Sequence, residues 1–311
     1  MPTIPSNAPG VPPSPFDDRD GWIWWNGRFV PWREARPHVL THGLHYASAV
    51  FEGERAYAGH IFRLRDHTNR LIESARILGF SLPWDAATID AACIETLARN
   101  GLTEGYLRPI AWRGSEEMGV AARATRPNLA IAAWEWPSYF APEVRMRGIR
   151  LAMAPWRRPA PETAPTAAKA TGLYMIGTMS KHAAMDAGFD DALMLDWKGD
   201  VAEATGANVF FVFDGALHTP TPFGFLDGIT RRSVMALARH RRIGVVERTI
   251  AETEIARAGE VFLAGTAAEV TPVREIAGHG EFAPGQVTEA LLRDYAALVR
   301  MPPESVARRV A

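Results

Sequence analysis

Lysine is nearly missing from this chain. Among 34 Lys plus Arg, three are lysines: Lys169, Lys181 and Lys198. Arginine stays charged at any ordinary pH and cannot serve as an amine nucleophile. A retained lysine is therefore either a chance survivor of an arginine-rich bias or a position that arginine cannot fill. Cysteine is scarcer still. Cys93 is the single one, so no disulfide forms within the chain, which suits a reducing compartment such as the cytoplasm. Its setting, IDAACIETLARNG, has helical spacing, so a buried inert thiol is expected. No apolar run approaches the roughly 20 residues that span a bilayer, so no membrane partner is expected. The formal net charge of -1 gives no whole-chain field for nucleic acid, and the runs RRPA and RHRR are short. The nucleotide loops G-x-G-x-x-G and G-x-x-x-x-G-K-[ST] are missing, as is the G-x-S-x-G elbow. His and Cys do not cluster at metal spacing. His42 and His45 stand three apart without a third ligand and are read as structural, so no metal is expected.

What is present divides the 311 residues into four parts. Residues 1–20, rich in Pro, Ser and Gly without the basic and apolar regions of a secretory leader, read as a flexible arm. Residues 21–136 read as a small α+β domain. WIWWNGRFVPW predicts a hairpin about Asn26-Gly27, a type I′ signal. HVLTHGLHYASAVFEGERAY reads as mixed strand and turn. RDHTNRLIESARILGF predicts a helix capped by Asp66 and closed by Gly79, and DAATIDAACIETLARNG a second. Residues 137–148 read as an interdomain connection. Residues 149–311 read as a larger domain. It opens with the strand IRLAMAPW, a proline-rich loop ending in PTAAKATGLY and a helix to about Ala187. Short strands DALMLD, VAEA and NVFFVFDGALHT follow, then a helix over 230–242, a strand GVVERTI, a helix near 251–258, the strand EVFLAG and a closing helix.

Lys169 lies in PTAAKATGLY with no acid beside it in sequence. A lysine held away from water and acids presents more free amine, which attacks carbonyls. FLDGITRRSVMALAR places Gly228, Ile229 and Thr230 at the start of a strong helix, where free N–H groups suit a phosphate. AGTAAEV places Gly265 and Thr266 after an apolar strand. Each alone is equally well read as ordinary turn chemistry. Glu203 lies in the short apolar run GDVAEATGANVFFV, either as a hairpin surface residue or as the partner of a buried cation. An imine-forming lysine, a phosphate cup and an acid together are what pyridoxal 5′-phosphate requires.

These residues, in this order, resemble the class IV pyridoxal-phosphate aminotransferases, in particular the branched-chain amino acid aminotransferases. The motifs that carry the resemblance are LHYASAVFEGERAY, RDHTNRL, YLRP, PTAAKATGLY, LDWKGDVAEATGANVFFV, LDGITR and GTAAEVTPV, and they span some four fifths of the chain. The resemblance implies an α+β fold of type IV, a small domain and a larger one with a β-barrel-like core. It implies a homodimer or larger assembly in which the partner chain completes the pocket. Lys169 is then the Schiff-base lysine and proton carrier, Glu203 the partner of the pyridine nitrogen, and Tyr174 the partner of the phenolic oxygen. Arg70, with Gly228, Ile229, Thr230, Gly265 and Thr266, holds the phosphate. Tyr46, Phe51, Tyr106, Trp136 and Tyr139 line an apolar side-chain pocket, and Arg108 receives the distal carboxylate of glutamate. The amides about Ala267 and Ala268 take the α-carboxylate. The expected reaction exchanges an amino group between leucine, isoleucine or valine and 2-oxoglutarate. Relatives on the same core act on D-amino acids or (R)-amines. The Arg-x-His expected of the D-amino acid enzymes is missing here, and a relative that had lost catalysis would lack Lys169 or Glu203. Glu54 puts a charge where many members are apolar, with Arg55 expected either to pair with it or to reach the pocket.

Overall fold

The structure, a computed structural model, describes residues 15–136 and 147–309. The expected Tyr139 and most of the 137–148 connection lie outside the described residues.

Seven strands form the first sheet: β1 (Trp22–Trp25), β2 (Arg28–Pro31), β3 (Ala49–Phe51), β4 (Glu54–Tyr57), β5 (His60–Ile61), β6 (Gly105–Arg113) and β7 (Pro127–Trp134). Their order is β2-β1-β7-β6-β4-β5, with β3 also paired to β6. Asn26 and Gly27 both have positive φ, 50° and 94°, as the type I′ turn between β1 and β2 demands. Alternation along WIWW sends Trp24 into one apolar cluster and Ile23 into another. The first cluster is capped by α2 (Leu64–Ile77) and α3 (Ala86–Arg99), whose Leu71, Ala75, Ile89 and Cys93 pack into it.

Two local expectations are corrected. Asp66 does not cap α2. Arg63, left-handed at φ 52°, occupies the N-cap, and Asp66 lies in the first turn with its carboxylate 2.6 Å from the Arg63 guanidinium. The segment read as strand and turn before β3 contains a five-residue helix, α1 (His42–Tyr46). Asp85, by contrast, caps α3 by accepting from the Thr88 amide at 2.8 Å.

The second sheet holds nine strands: β8 (Ile149–Met153), β9 (Asp191–Leu195), β10 (Val201–Ala204), β11 (Asn208–Phe213), β12 (Ala216–Pro220), β13 (Val245–Arg248), β14 (Glu260–Gly265), β15 (Glu269–Ile276) and β16 (Gly280–Glu281). Six of them, in the ring β10-β9-β8-β15-β14-β11, close into a barrel because β10 also pairs with β11. The run NVFFVF shows how the sequence builds it. Val209 and Phe211 join the cluster with Leu151, Leu193 and Val273, while Phe210 and Val212 face the opposite way. Two helices of this half, Ile229–His240 and Gln286–Leu298, meet them there through Val234, Leu237, Leu291 and Tyr295. With Met175–Asp186 as α4, these two are α5 and α6. Burying each such side chain contributes about 1.5–3 kcal/mol. The expected helix near 251–258 is a 3₁₀ segment, Glu252–Arg257. The fold is α+β, with the barrel expected of fold type IV. No helix among the described residues is long and apolar enough to cross a membrane.

Candidate active site

A cleft between the two sheets collects most of the residues singled out above. Lys169 enters it from the loop after β8, and the first sheet holds its backbone. The Phe51 amide donates to the Lys169 carbonyl at 3.1 Å, and the Lys169 amide donates to Ser74 Oγ at 3.0 Å. Lys169 Nζ donates to the Tyr174 hydroxyl at 2.7 Å. The rings of Phe51 and Tyr174 lie 4.8 and 4.9 Å from it, and no carboxylate among the described residues forms a salt bridge with it. Lys181, on α4, instead pairs with Asp191 at 3.2 Å, and Lys198 stands outside the cleft on the turn before β10. Of the three lysines, Lys169 lines this cleft and Lys181 lines an adjoining one.

Glu203 sits where the barrel closes. It pairs with Asn208 across the β10–β11 seam, next to a register shift between Val201 and Glu203. Such a bulge re-aims a side chain. Its contacts are long: Asn208 Nδ2 at 3.3 Å and Arg158 Nε at 3.4 Å. Burial pushes its carboxyl up to about 7, against the opposing pull of Arg158 and Lys169.

Arg70 reaches the cleft from α2, held from behind by Glu52. Its Nε and Nη2 donate to the two Glu52 oxygens at 2.7 and 2.8 Å. His67 Nδ1 lies 2.7 Å from the same fully buried carboxylate. Burial pulls the Glu52 carboxyl upward, but Arg70 and His67 outweigh it and hold the group well below the usual carboxylate range. Across the cleft, Gly228 is the N-cap of α5 with no side-chain cap, so the Ile229 and Thr230 end of the helix faces the cavity. A Cβ on Gly228 would lie 2.1 Å from Asn208 Oδ1, so a side chain there would have to displace Asn208. Gly265 and Thr266 complete this wall.

The expected substrate residues are only partly brought together. Phe51 packs edge-on against Tyr174, centroids 4.8 Å apart, and the Arg108 guanidinium lies 4.8 Å above the Phe51 ring. Arg108 Nη2 donates to the Tyr106 hydroxyl at 3.2 Å, while its buried Nε has no hydrogen-bond partner among the described residues. Trp136 packs against Tyr106 with centroids 5.2 Å apart. Ala267 and Ala268 line an adjoining cleft that shares Tyr174 with the first. Tyr46 is not in either cleft. It is 44% exposed on α1, stacked on His42. His42 itself is buried, with Nε2 2.9 Å from the Gly119 carbonyl, which accords with a structural role.

Several residues at the site were not singled out from the sequence. Glu52 and His67 stand inside FEGERAY and RDHTNRL, and the presence of an acid in one motif and cations in the other is the only local signal of their pairing. Ser74, Arg158 and Asn208 have no local signal. Arg55 does not pair with Glu54. Strand alternation puts the two on opposite faces of β4, and Arg55 Nη1 lies 3.2 Å from Glu269 Oε1.

The comparisons agree with this architecture. The family model "Amino-transferase class IV" matches residues 49–276. The branched-chain-amino-acid aminotransferase of Pseudomonas aeruginosa is 41% identical over 91% of this chain and 94% of its own. The solved branched-chain aminotransferase of Thermoproteus uzoniensis, with norvaline, superposes with a TM-score of 0.88 at 36% identity, covering 93% of this chain and 98% of that one. The branched-chain amino acid aminotransferase of Thermobaculum terrenum, solved in its PLP-form, gives a TM-score of 0.84 at 31% identity, over 94% and 99% of the two chains. With the cleft lysine, the barrel and this likeness along nearly its whole length, the chain belongs to the class IV aminotransferases.

Proposed function

We propose that this protein exchanges an amino group between branched-chain L-amino acids (leucine, isoleucine or valine) and 2-oxoglutarate, with pyridoxal 5′-phosphate as cofactor. The observation that carries this reading is the Lys169–Tyr174 pair, set between a buried acid, Glu203, and a helix N-terminus facing Arg70. The cofactor's chemistry suits that donor set. Glu203 is a buried carboxyl with only long contacts, raised to about 7, and a cationic ring N–H stabilises its ionised form. At the opposite wall, the uncapped end of α5 and the missing side chain at Gly228 leave amides open to an anion.

When bound, pyridoxal phosphate supplies an aldehyde that condenses with amines and a ring that draws electrons from the substrate Cα. Lys169 Nζ would anchor it covalently and would carry the proton at the substrate Cα. Tyr174, whose hydroxyl holds Lys169 Nζ, would bond the phenolic oxygen. Glu203 would keep the ring nitrogen protonated. Arg70, with Gly228, Ile229, Thr230, Gly265 and Thr266, takes the phosphate. Phe51, Tyr106 and Trp136 would form the apolar side-chain pocket, with the amides about Ala267 and Ala268 on the α-carboxylate. Arg108, with its buried Nε beside Phe51 and Tyr106, lets the same pocket accept an acidic side chain.

A homodimer or larger assembly supplies the rest. Val39, Leu40, Leu44 and Tyr46 are exposed about α1, as is Val120, at 89% exposure, and a second copy covers them so that Tyr46 enters the neighbour's pocket. The single cysteine fits the cytoplasm as its compartment.

Arg108 gives the test of the dual-substrate assignment. Arg108→Ala slows the 2-oxoglutarate half-reaction by about a hundredfold, the loss typical of one charged contact, and the leucine half-reaction by far less. Single-turnover spectra of each half-reaction report this directly, and equal losses in both would make Arg108 a structural residue.

A further inference from the structure

The strands β14 and β15 join through a three-residue tip, Thr266, Ala267 and Ala268, with Gly265 paired to Glu269 across its base. Chain leaving a tight tip can turn left-handed, and glycine is the residue that takes that conformation without strain. Here the position is Glu269, with φ 52°. A glutamate held there points to a side chain with a task.

That side chain crosses to the other sheet. The Tyr57 hydroxyl donates to Glu269 Oε1 at 2.9 Å, and Arg55 Nη1 lies 3.2 Å from the same oxygen. Both partners come from β4, and both are buried, Arg55 at 4% and Tyr57 at 2% exposure. Arg55 also packs over the Tyr57 ring, 4.9 Å from its centroid. The carbonyl of Ala268 is tied down as well, accepting from Thr271 Oγ1 at 2.5 Å. Among the described residues, the tip amides of Thr266, Ala267 and Ala268 donate to no protein acceptor, and Ala267 and Ala268 line a cleft.

We infer that Glu269 is a positioning residue: bound by Arg55 and Tyr57, it fixes the tip of this hairpin so that its amides meet the α-carboxylate of the substrate. This deepens the proposed function and rests on it, because the carboxylate at the tip belongs to that reading. Glu269 itself touches neither substrate nor cofactor. It ties the tip to the sheet that carries Phe51, Tyr106 and Arg108, so the two ends of one substrate are held at a set separation.

The test uses holoenzyme and 4-methylpentanoate, the carbon skeleton of leucine with its carboxylate but without its amine. Binding is followed through the visible band of the cofactor, so no turnover is needed. Glu269→Gly supplies the residue the backbone prefers and removes the tie. It weakens 4-methylpentanoate binding roughly tenfold or more, because displacing a positioned group by about an ångström is costly. Pyridoxal phosphate affinity changes less than about threefold, because Arg70 and the N-terminus of α5 still hold the phosphate by charge and free amides. Glu269→Gln keeps an oxygen for the Tyr57 hydroxyl and restores most of the acid binding. Unchanged acid binding in Glu269→Gly, or an equal loss of acid and cofactor binding, overturns the inference. If Glu269→Gly does not fold, Tyr57→Phe decides in its place: a selective loss of acid binding supports the tie, and no loss overturns it. Wild-type holoenzyme that binds the acid but leaves L-leucine unreacted contradicts the proposed function instead.

Discussion

Two glutamates with raised carboxyls sit in opposite settings. Glu203 is near a charge partner and aimed into a cleft. Glu54 is wholly buried beside the Cys93 thiol of α3, and no nitrogen or hydroxyl among the described residues bonds to either of its oxygens. Burial, then the charges of Glu52 and Asp90, push the Glu54 carboxyl well above its ordinary range. The folded chain therefore keeps a proton there that the unfolded chain releases above about pH 4.3. Below that pH both states are protonated and the site costs nothing on this account. Above it, stability falls with rising pH until the folded-state pKa is reached, by about 1.4 kcal/mol per pH unit. Glu54→Leu is thus expected to stabilise the protein, by more at pH 8 than at pH 5. Urea unfolding at the two pH values checks it, and a loss of stability at pH 8 contradicts it. The sequence marked Glu54 as a charge out of place. It did not show the lack of a cationic partner, because Arg55, the next residue along a strand, necessarily faces the other way.

At the scale of elements, α2 does the most for the site. Positions 67, 70, 71 and 74 fall on one helical face. They place His67 and Arg70 on Glu52, Leu71 in the core, and Ser74 on the backbone of Lys169. Glu52→Gln breaks the ionic member of this set and leaves the largely buried Arg70 charge uncompensated, at a cost of about 3 kcal/mol. Because Glu52 is held below its ordinary range, its contribution is present in full above about pH 4.3 and is lost below it, as pH falls toward the lowered folded-state value. The expected result is a large destabilisation of Glu52→Gln at pH 7 that shrinks as pH drops below about 4, read by denaturant unfolding. A constant or negligible difference across that range contradicts the arrangement. The helix was legible from its period of apolar residues and from Gly79, whose φ of 75° closes it. Its true N-cap was not, since a left-handed arginine gives no sequence signal and Asp66 looked the better candidate. The short helix α1 escaped for a related reason: five residues do not complete enough turns to show a period.

For the whole molecule, the motif order carried the fold class, and NVFFVF, apolar on both faces, marks a strand buried on both sides. What local pattern could not supply was closure. The pairing of β8 with β15 and the tie between Tyr57 and Glu269, 212 residues apart, are tertiary facts. The same holds for Tyr46, named for the pocket but exposed in the single chain. The site is assembled from both sheets: Lys169, Tyr174 and Glu203 come from the barrel half, Phe51, Arg70, Tyr106 and Arg108 from the other. The central claim is that this assembly works on the amino group of a branched-chain L-amino acid through Lys169. The most direct measurement mixes purified holoenzyme, without acceptor, separately with L-leucine and with an (R)-arylalkyl amine, while the visible absorption of the bound cofactor is recorded. The account predicts rapid loss of the band with L-leucine, little change with the amine, and no turnover in Lys169→Ala. Loss of the band with the amine alone would contradict it.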